Sequence, residues 1–225
     1  MPETKKIFDE VASHYDWLNT LFSLGIHKLW RKKLADELHG TEYNLDIATG
    51  TAEVAIEVAK KHPAAKTVGI DPSMNMLRIA KEKIEDLNLG EKIALASAAA
   101  EHLPFTEKQF DSATIAFGIR NTVDYELSLR EIRRVLRENG KLFILEFAIP
   151  RNPVFKPIYM VYFKVLMPLV GSIYGRGKEY RYLAESTASF PQRKNFIQHL
   201  ENAGFRDCRY SELTMGVVAL YRATR

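Results

Sequence analysis

The stretch 43–53 constrains the fold more than any other part of this chain. Apolar and polar residues alternate at first, small residues follow, and a helical apolar pattern begins at Val54. This order predicts a strand, a tight turn and a helix. Asp46 falls at the end of the strand, which is where open α/β sheets bind their ligands. Because Gly50 is the only glycine of the turn, the pattern fits a nucleotide-type ligand and an ordinary βα connection about equally well.

A second carboxylate favours the ligand-binding interpretation. The short apolar run 67–70 ends in Asp71, about 20 residues after Gly50, where Rossmann-like folds place an acid that hydrogen-bonds ribose hydroxyls. Asp is also a good N-cap, so Asp71 could instead cap the helix predicted to start at Pro72–Ser73. The sequence favours the ribose role, and the two roles are compatible because they can use different atoms.

Strand and helix patterns alternate along most of the chain, which predicts an α/β fold with a parallel sheet and helices on both faces. The run 141–147 is apolar enough for a central strand, and the last two strands should be antiparallel. Asn139–Gly140 are expected to end the preceding helix as a glycine cap. The predicted elements are helices 73–87, 123–136 and 192–202 and strands 92–97, 110–117, 141–147, 205–210 and 217–221.

Two segments stand outside this alternation. Residues 5–38 are apolar enough to form helices that pack on the domain, with a break at Gly25 and with Trp30 interpreted as a packing residue. Residues 151–190 contain the apolar run 158–174, which is shorter than about 20 residues and is interrupted by a lysine and a proline. It is therefore a poor membrane span, and we interpret it as a lid over an apolar ligand.

Composition narrows the class of protein. A chain of 225 residues, 46% of them hydrophobic, suits a single domain over 1–225. Its one cysteine, Cys208, excludes an internal disulfide and fits a reducing compartment, and no zinc-type Cys/His cluster appears. The N-terminus lacks the apolar core of a signal peptide. These features predict a cytoplasmic protein without a metal site.

Charge is distributed unevenly along the chain. Residues 1–150 carry 20 Lys/Arg and 23 Asp/Glu, whereas residues 151–225 carry 12 and 5, a net charge of +7. A basic half can meet nucleic acid, anionic lipid or an acidic partner, and it can equally be a solvated surface without a partner. No recognised nucleic-acid-binding motif is present, so we expect no nucleic-acid partner.

Several short motifs are spread over nearly the whole chain. They are Tyr15-Asp16-x-x-Asn19-x-x-x-Ser23-x-Gly25-x-His27-x-x-Trp30, Leu45-Asp46-x-Ala48-x-Gly50-Thr51, Asp71-x-Ser73-x-x-Met76-Leu77, Ala100-Glu101-x-Leu103-Pro104-Phe105, Phe117-Gly118-Ile119-Arg120-Asn121, Leu145-Glu146-Phe147 and Tyr182-Leu183-x-Glu185-Ser186. Together they resemble the UbiE/MenG/Coq5 family of quinone-biosynthesis C-methyltransferases. The first motif and the Arg-Asn motif are the most specific, whereas the sheet motifs are common to S-adenosylmethionine (SAM) enzymes.

The resemblance implies a Rossmann-like class I SAM-dependent methyltransferase with a mostly parallel seven-stranded sheet, an N-terminal helical cover over 1–40 and a substrate lid over 151–190. It implies that a methyl group passes from SAM, leaving S-adenosylhomocysteine, to a polyprenylated quinol, with demethylmenaquinol as the first candidate. Such a transfer requires no metal. A lipid-soluble acceptor also implies weak peripheral contact of the run 158–174 with the inner face of an anionic membrane. Burial of that run in the core or in a homodimer is an equal alternative.

The same resemblance places the acceptor at Arg120 and Asn121, directly after the fourth strand. Arginine is a poor general base because its pKa exceeds about 12, but it can orient a water or stabilise a developing phenolate. Arg120 could instead cap its loop or pair with Asp124, and Tyr15 is a third catalytic candidate that could position the ring. The expected SAM-binding residues are Asp46, Gly50, Thr51, Asp71, Pro72, Met76, Ala99, Ala100, Ala116 and Phe117.

The chain departs from the family pattern in three motifs. Thr49-Gly50-Thr51-Ala52-Glu53 stands where the family usually reads Gly-Gly-Thr-Gly-Asp, Ala99 stands where it has Asn, and Ala116 where it often has Ser. These departures keep open a methyltransferase of the same fold with another acceptor. An NAD-binding oxidoreductase or a non-catalytic nucleotide-binding module is a further alternative, although the Gly-x-Gly-x-x-Gly expected after the first strand is missing.

Overall fold

The structure is a computed structural model that describes residues 20, 23, 25–173 and 177–225. Tyr15 and the first part of the expected helical cover lie outside the described residues. The helices are α1 (Ile26–Ala35), α2 (Glu53–Lys61), α3 (Met74–Asp86), α4 (Tyr125–Val135), α5 (Phe155–Val161), α6 (Met167–Ile173), α7 (Gly177–Ser189) and α8 (Lys194–Asn202), with a π-helical turn at Tyr162–Leu166 and 3₁₀ turns at Ile119–Asn121 and Thr214–Gly216. The strands are β1 (Tyr43–Ile47), β2 (Lys66–Ile70), β3 (Ile93–Ala96), β4 (Phe110–Ala116), β5 (Leu136–Phe147), β6 (Arg206–Leu213) and β7 (Val218–Thr224).

The strands form one seven-stranded sheet in the order β3-β2-β1-β4-β5-β7-β6. Strands β1 to β5 pair in parallel, and β7 runs antiparallel to both β5 and β6. The expected mostly parallel sheet with two antiparallel C-terminal strands is therefore confirmed, and β5 is a central strand. Ile47 pairs with both Ile70 and Ile115, so β1, β2 and β4 end at the same edge of the sheet.

Alternation along β5 explains why helices cover both faces. Leu142 and Ile144 pack with α4 and α8, whereas Phe143 and Leu145 pack with α1, α2 and α5. Successive side chains of a strand point to opposite faces, so a strand covered on both sides must be apolar throughout. Each fully buried side chain of this size contributes about 1.5–3 kcal/mol to folding. The apolar side chains of β5 thus pack against the helices on both faces of the sheet.

The helix α1 begins directly after Gly25, which confirms the predicted break. Gly25 has a φ of +77°, a conformation that glycine adopts without steric cost. Trp30 is buried, its ring lies beside Phe117 and Phe147, and its indole N–H donates to Thr214 Oγ1 at 2.7 Å. These contacts confirm Trp30 as a packing residue that fixes α1 to the sheet.

The expected glycine cap at Asn139–Gly140 is wrong. Helix α4 ends at Val135, and β5 begins at once with Leu136. The ladder between β4 and β5 shifts its register over the following residues. Asn139 accordingly has a φ of 62°, in the left-handed region that Asn tolerates better than most residues. The Asn-Gly pair therefore belongs to an irregular part of β5. The residues that suggested the end of a helix lie instead in an irregular strand.

The apolar run after residue 154 forms consecutive helical segments with two unlike faces. Tyr159, Phe163 and Met167 are buried against the sheet and α1. A second row of apolar side chains is between 56% and 74% exposed: Val154, Ile158, Val161, Val165 and Leu169. We call this row the apolar stripe. Within the described ranges, no helix is long and apolar enough to cross a membrane.

Candidate active site

A cleft lies at the carboxyl ends of β1 and β4. The chain leaves β1 toward β2 on one side, and β4 lies on the other side, so this is the point where an open α/β sheet leaves a crevice. Four of the predicted SAM-binding residues meet in it, together with an arginine that sequence reasoning did not select. The lining residues are Arg31, Asp46, Ala48, Thr49, Gly50, Thr51, Glu53, Val54 and Ala116.

The other predicted SAM-binding residues do not line this cleft. Asp71 is connected to it through a hydrogen bond with Gly50. Met76 is buried in α3, Ala100 packs in the core, and the ring of Phe117 packs at a tilt against Phe147. Pro72 and Ala99 lie at the carboxyl ends of β2 and β3, at the same edge of the sheet. Their contact with SAM stays a prediction.

Asp46 is a buried carboxylate held by two hydroxyl groups. Thr49 Oγ1 donates to its Oδ2 at 2.6 Å, and Thr114 Oγ1 donates to its Oδ1 at 2.8 Å. Burial nevertheless raises the pKa of Asp46 to about 6, because an ionised carboxylate loses more solvation than two hydroxyls return. The cleft therefore contains an acid whose charge changes slightly below neutral pH.

The turn after β1 is strained and is supported from the neighbouring strand. Ala48, Gly50 and Ala52 have φ values of 51°, 55° and 62°, and the left-handed region costs a residue with a side chain about 1–2 kcal/mol. Ala52 occupies the position where the related family usually has glycine, so this departure adds strain. Asp71 Oδ2 accepts from the Gly50 N–H at 3.0 Å. Strain of this kind is typical of turns that place backbone groups against a ligand.

The capping interpretation of Asp71 is wrong, because the N-cap of α3 is Ser73. The Ser73 hydroxyl accepts from the Met76 N–H at 3.2 Å, and Asp71 Oδ1 accepts from the Ser73 N–H at 2.9 Å. Asp71 thus connects the start of α3 to Gly50. A carboxylate oxygen can accept more than one hydrogen bond, so the ribose role of Asp71 is compatible with these two contacts and stays a prediction.

Arg120 and Asn121 lie together in the 3₁₀ turn that follows β4. Arg120 Nη1 donates to Glu146 Oε1 at 2.6 Å and to the Phe117 carbonyl at 2.7 Å. Asn121 Nδ2 donates to the same carbonyl at 3.2 Å. Arg120 therefore does cap its loop, as one alternative expected, whereas the suggested pairing with Asp124 is wrong because Arg120 pairs with Glu146 and Asp124 is the N-cap of α4. The structure therefore brings two of the three catalytic candidates to one carbonyl, beside the end of the cleft at Ala116.

Glu146 is the acidic partner that the sequence analysis missed. It lies on β5 with its side chain buried, and burial raises its pKa although Arg120 opposes the shift. Its Oε2 and the Nε of Arg120 have no hydrogen-bond partner in the part of the chain that the structure describes. The signal was a charged residue inside the otherwise apolar strand Leu142–Phe147, which requires a buried partner of opposite charge.

A tyrosine from the segment 151–190 reaches this site. Tyr182, on α7, donates its hydroxyl hydrogen to Asn121 Oδ1 at 3.1 Å. The guanidinium carbon of Arg120 lies 5.4 Å from the centre of the Phe147 ring, within the range of a cation–π interaction. The Arg-Asn pair is thus held between an aromatic wall and one helix of the proposed lid.

Sheet order, crevice and turn together define the fold of the class I SAM-dependent methyltransferases. A SAM-dependent methyltransferase from Thermotoga maritima, described as a possible histamine N-methyltransferase, superposes with a TM-score of 0.68 at 20% identity, over 98% of this chain and 99% of that one. This similarity concerns the fold alone.

Sequence comparison identifies the family. The profile of the ubiE/COQ5 methyltransferase family matches residues 2–225. The ubiquinone/menaquinone biosynthesis C-methyltransferase UbiE of Syntrophotalea carbinolica is 42% identical, over 99% of this chain and 94% of that protein. The demethylmenaquinone methyltransferase of Staphylococcus haemolyticus is 39% identical, over 96% and 90%. The chain belongs to the ubiE/COQ5 methyltransferase family and is a SAM-dependent methyltransferase, which confirms the resemblance.

Proposed function

We propose that this protein is a C-methyltransferase of quinone biosynthesis that transfers a methyl group from SAM to the ring of a polyprenylated quinol, with demethylmenaquinol as the first acceptor to test. The observation that carries the proposal is the Arg120–Asn121 pair in the turn that follows β4, whose last residue, Ala116, is part of the cleft wall. Two relatives named for menaquinone chemistry support the choice of acceptor.

The cleft fits the methionine end of SAM. That end carries two cationic groups, the sulfonium and the ammonium, and one anionic carboxylate. The cleft offers the carboxylate of Asp46, open space above Gly50, and a guanidinium nitrogen of Arg31 that is buried without a hydrogen-bond partner in the described ranges. When bound, SAM supplies an activated methyl group on a cationic sulfur. Asp71 is the proposed partner of its ribose.

Arg120 and Asn121 act on the acceptor in this proposal. A quinol carbon beside a hydroxyl becomes nucleophilic when that hydroxyl loses its proton, and the negative charge then rests largely on oxygen. A fixed cation and a fixed amide near that oxygen stabilise the developing charge, because they need not reorganise during the reaction. Glu146 and the Phe117 carbonyl hold the guanidinium in place. The aromatic wall of Phe117 and Phe147 excludes water from the same side.

The direct test is incorporation of a labelled methyl group. Purified protein is incubated with SAM labelled in its methyl group and with a short-chain demethylmenaquinol kept reduced. The expected product carries one label on a ring carbon. A short-chain benzoquinol in a parallel reaction decides between the two quinol classes. Protein that binds SAM but labels neither quinol would contradict the proposal and favour a methyltransferase with another acceptor.

Residues 151–190 are proposed to form the lid over the isoprenoid chain of this acceptor and to touch the bilayer that contains it. The apolar stripe is exposed, and the described residues from 151 to 173 include Arg151, Lys156 and Lys164 but no acidic residue. Apolar side chains flanked by basic ones suit the surface of an anionic membrane. The protein is proposed to be cytoplasmic with peripheral contact at the inner face of the membrane. The competing proposal is that a second copy of the chain covers the apolar stripe in a homodimer.

A further inference from the structure

Arg31 is an arginine that makes no hydrogen bond to an anion in the described part of the protein. It lies on α1, its side chain is 8% exposed, and it lines the cleft beside Asp46 and Thr51. Its Nη1 is fully buried and has no hydrogen-bond partner among the described residues. Burying a guanidinium without a partner is costly. Such an atom at the wall of a ligand cleft indicates that its partner is part of the ligand.

The nearest acids do not provide that partner. Glu53 Oε2 lies 3.9 Å from Arg31 Nη1, beyond hydrogen-bond distance, and Glu53 Oε1 accepts from Lys83 Nζ at 2.6 Å. Asp46 has both oxygens occupied by threonine hydroxyls, and the charge of Arg31 affects its pKa less than those hydroxyls do. Neither acid therefore hydrogen-bonds to Arg31, which lines the cleft with a guanidinium nitrogen that has no hydrogen-bond partner in the described ranges.

We infer that Arg31 binds the α-carboxylate of SAM, and that it is the residue that distinguishes the complete methionine end of SAM from adenosine ligands that lack this carboxylate. The inference rests on the proposed use of the cleft by SAM. A guanidinium presents paired N–H groups that match the two oxygens of a carboxylate. Asp46, on the same wall, has the opposite charge and suits the ammonium group. The two charges in the cleft thus correspond to the two charges of an amino acid.

This assignment gives α1 a role beyond packing. Trp30, the preceding residue, fixes the helix to Thr214 and to the aromatic wall, while Arg31 faces the cleft of the sheet domain. Cofactor binding then depends on the correct docking of α1. The predicted N-terminal cover would in this way complete the cofactor site as well as the substrate site.

Binding of two ligands that differ in one group tests the inference. Calorimetric titration compares SAM with decarboxylated SAM, which retains the sulfonium and the amine but lacks the carboxylate. The wild-type protein should bind decarboxylated SAM about 10- to 100-fold more weakly, since a hydrogen-bonded charge pair is lost. In Arg31→Met the two dissociation constants should be nearly equal. Arg31→Lys should restore part of the preference, because lysine keeps the charge but not the planar fork.

Lys33→Met is the matched control. It removes one positive charge from an exposed position of the same helix and should leave the dissociation constants of SAM and decarboxylated SAM unchanged. Equal weakening of both ligands in Arg31→Met would assign Arg31 a structural role and overturn the inference. Equal affinity of both ligands for the wild type would overturn it without any variant, even if the Arg31 variants failed to fold. Wild-type protein that binds neither ligand would instead overturn the proposed cofactor site itself.

Discussion

Arg120 and Glu146 form an ion pair in which Nη1 lies 2.6 Å from Oε1 and both side chains are more than nine-tenths buried. The pair connects the 3₁₀ turn after β4 to the neighbouring strand β5. Its two outer atoms, Arg120 Nε and Glu146 Oε2, lack hydrogen-bond partners in the described ranges. Buried ion pairs add little net stability compared with apolar residues, so stability alone does not account for this pair, which agrees with the role proposed for Arg120.

Removing one member of the pair should destabilise the protein. Arg120→Met or Glu146→Leu leaves a buried charge without its partner, so each should lower the free energy of unfolding by about 3–5 kcal/mol in urea titrations. The double variant Arg120→Met/Glu146→Leu should lose clearly less than the sum. Arg78→Met, in the exposed pair with Glu82, should change the value by no more than about 1 kcal/mol. Additive losses would mean that the two side chains do not stabilise each other.

Replacement of Arg120 by lysine separates catalysis from cofactor binding. Lysine keeps a positive charge but cannot reproduce the planar guanidinium, so kcat should fall by about 100-fold, as it does when one donor of an oxyanion site is lost. The dissociation constant of S-adenosylhomocysteine, measured by calorimetry, should stay within about twofold. Arg130→Lys, at an exposed position of α4, provides the control. Full activity of Arg120→Lys would mean that the guanidinium of Arg120 does not contribute to catalysis.

The sequence predicted the sheet well and the site only in part, for physical reasons. Alternation of apolar and polar residues identified β1, and continuous apolar runs identified β2 and β5, because strands buried on both faces are mostly apolar. The turn at Asn139–Gly140 was assigned to a helix end because its residues suit both a cap and an irregular strand, and only strand pairing decides between them. Glu146 and Arg31 were missed because their roles depend on partners that are distant in the chain.

Cofactor affinity should depend on pH through Asp46. Burial raises the pKa of Asp46 to about 6, above the ordinary value for aspartate, so the free protein holds this proton at pH 5 and has largely lost it at pH 7. A cationic ammonium group binds the ionised form better. SAM should therefore bind about tenfold more weakly at pH 5 than at pH 7, and binding should weaken again above about pH 8, where an α-ammonium group loses its own proton. In Asp46→Asn this pH dependence should disappear. If the affinity of that variant for SAM still changed between pH 5 and pH 7, the titrating group would be a residue other than Asp46.

Tyr182 should report whether the segment 151–190 takes part in acceptor binding. Tyr182→Phe removes only the hydroxyl that donates to Asn121, a hydrogen bond of about 1 kcal/mol. The expected result is a roughly fivefold decrease in kcat/KM for the quinol, with unchanged binding of S-adenosylhomocysteine. Tyr43→Phe, at the opposite end of β1, should have no effect. If Tyr182→Phe behaves like this control, the lid does not position Asn121 during turnover.

The apolar stripe should bind anionic vesicles. At low salt, wild-type protein should co-sediment with phosphatidylglycerol vesicles and should be released as salt rises, because the nearby basic residues are screened. Ile158→Ser/Val165→Ser should reduce this binding, whereas Leu29→Ser/Val123→Ser, which removes similarly exposed apolar residues elsewhere, should not.

Phe163 is unsuitable for this purpose because it is buried, so its replacement would damage the core. Wild-type protein that stays in the supernatant at low salt would contradict membrane contact. If size-exclusion chromatography then shows a dimer that the stripe variant converts to a monomer, the stripe is a subunit interface.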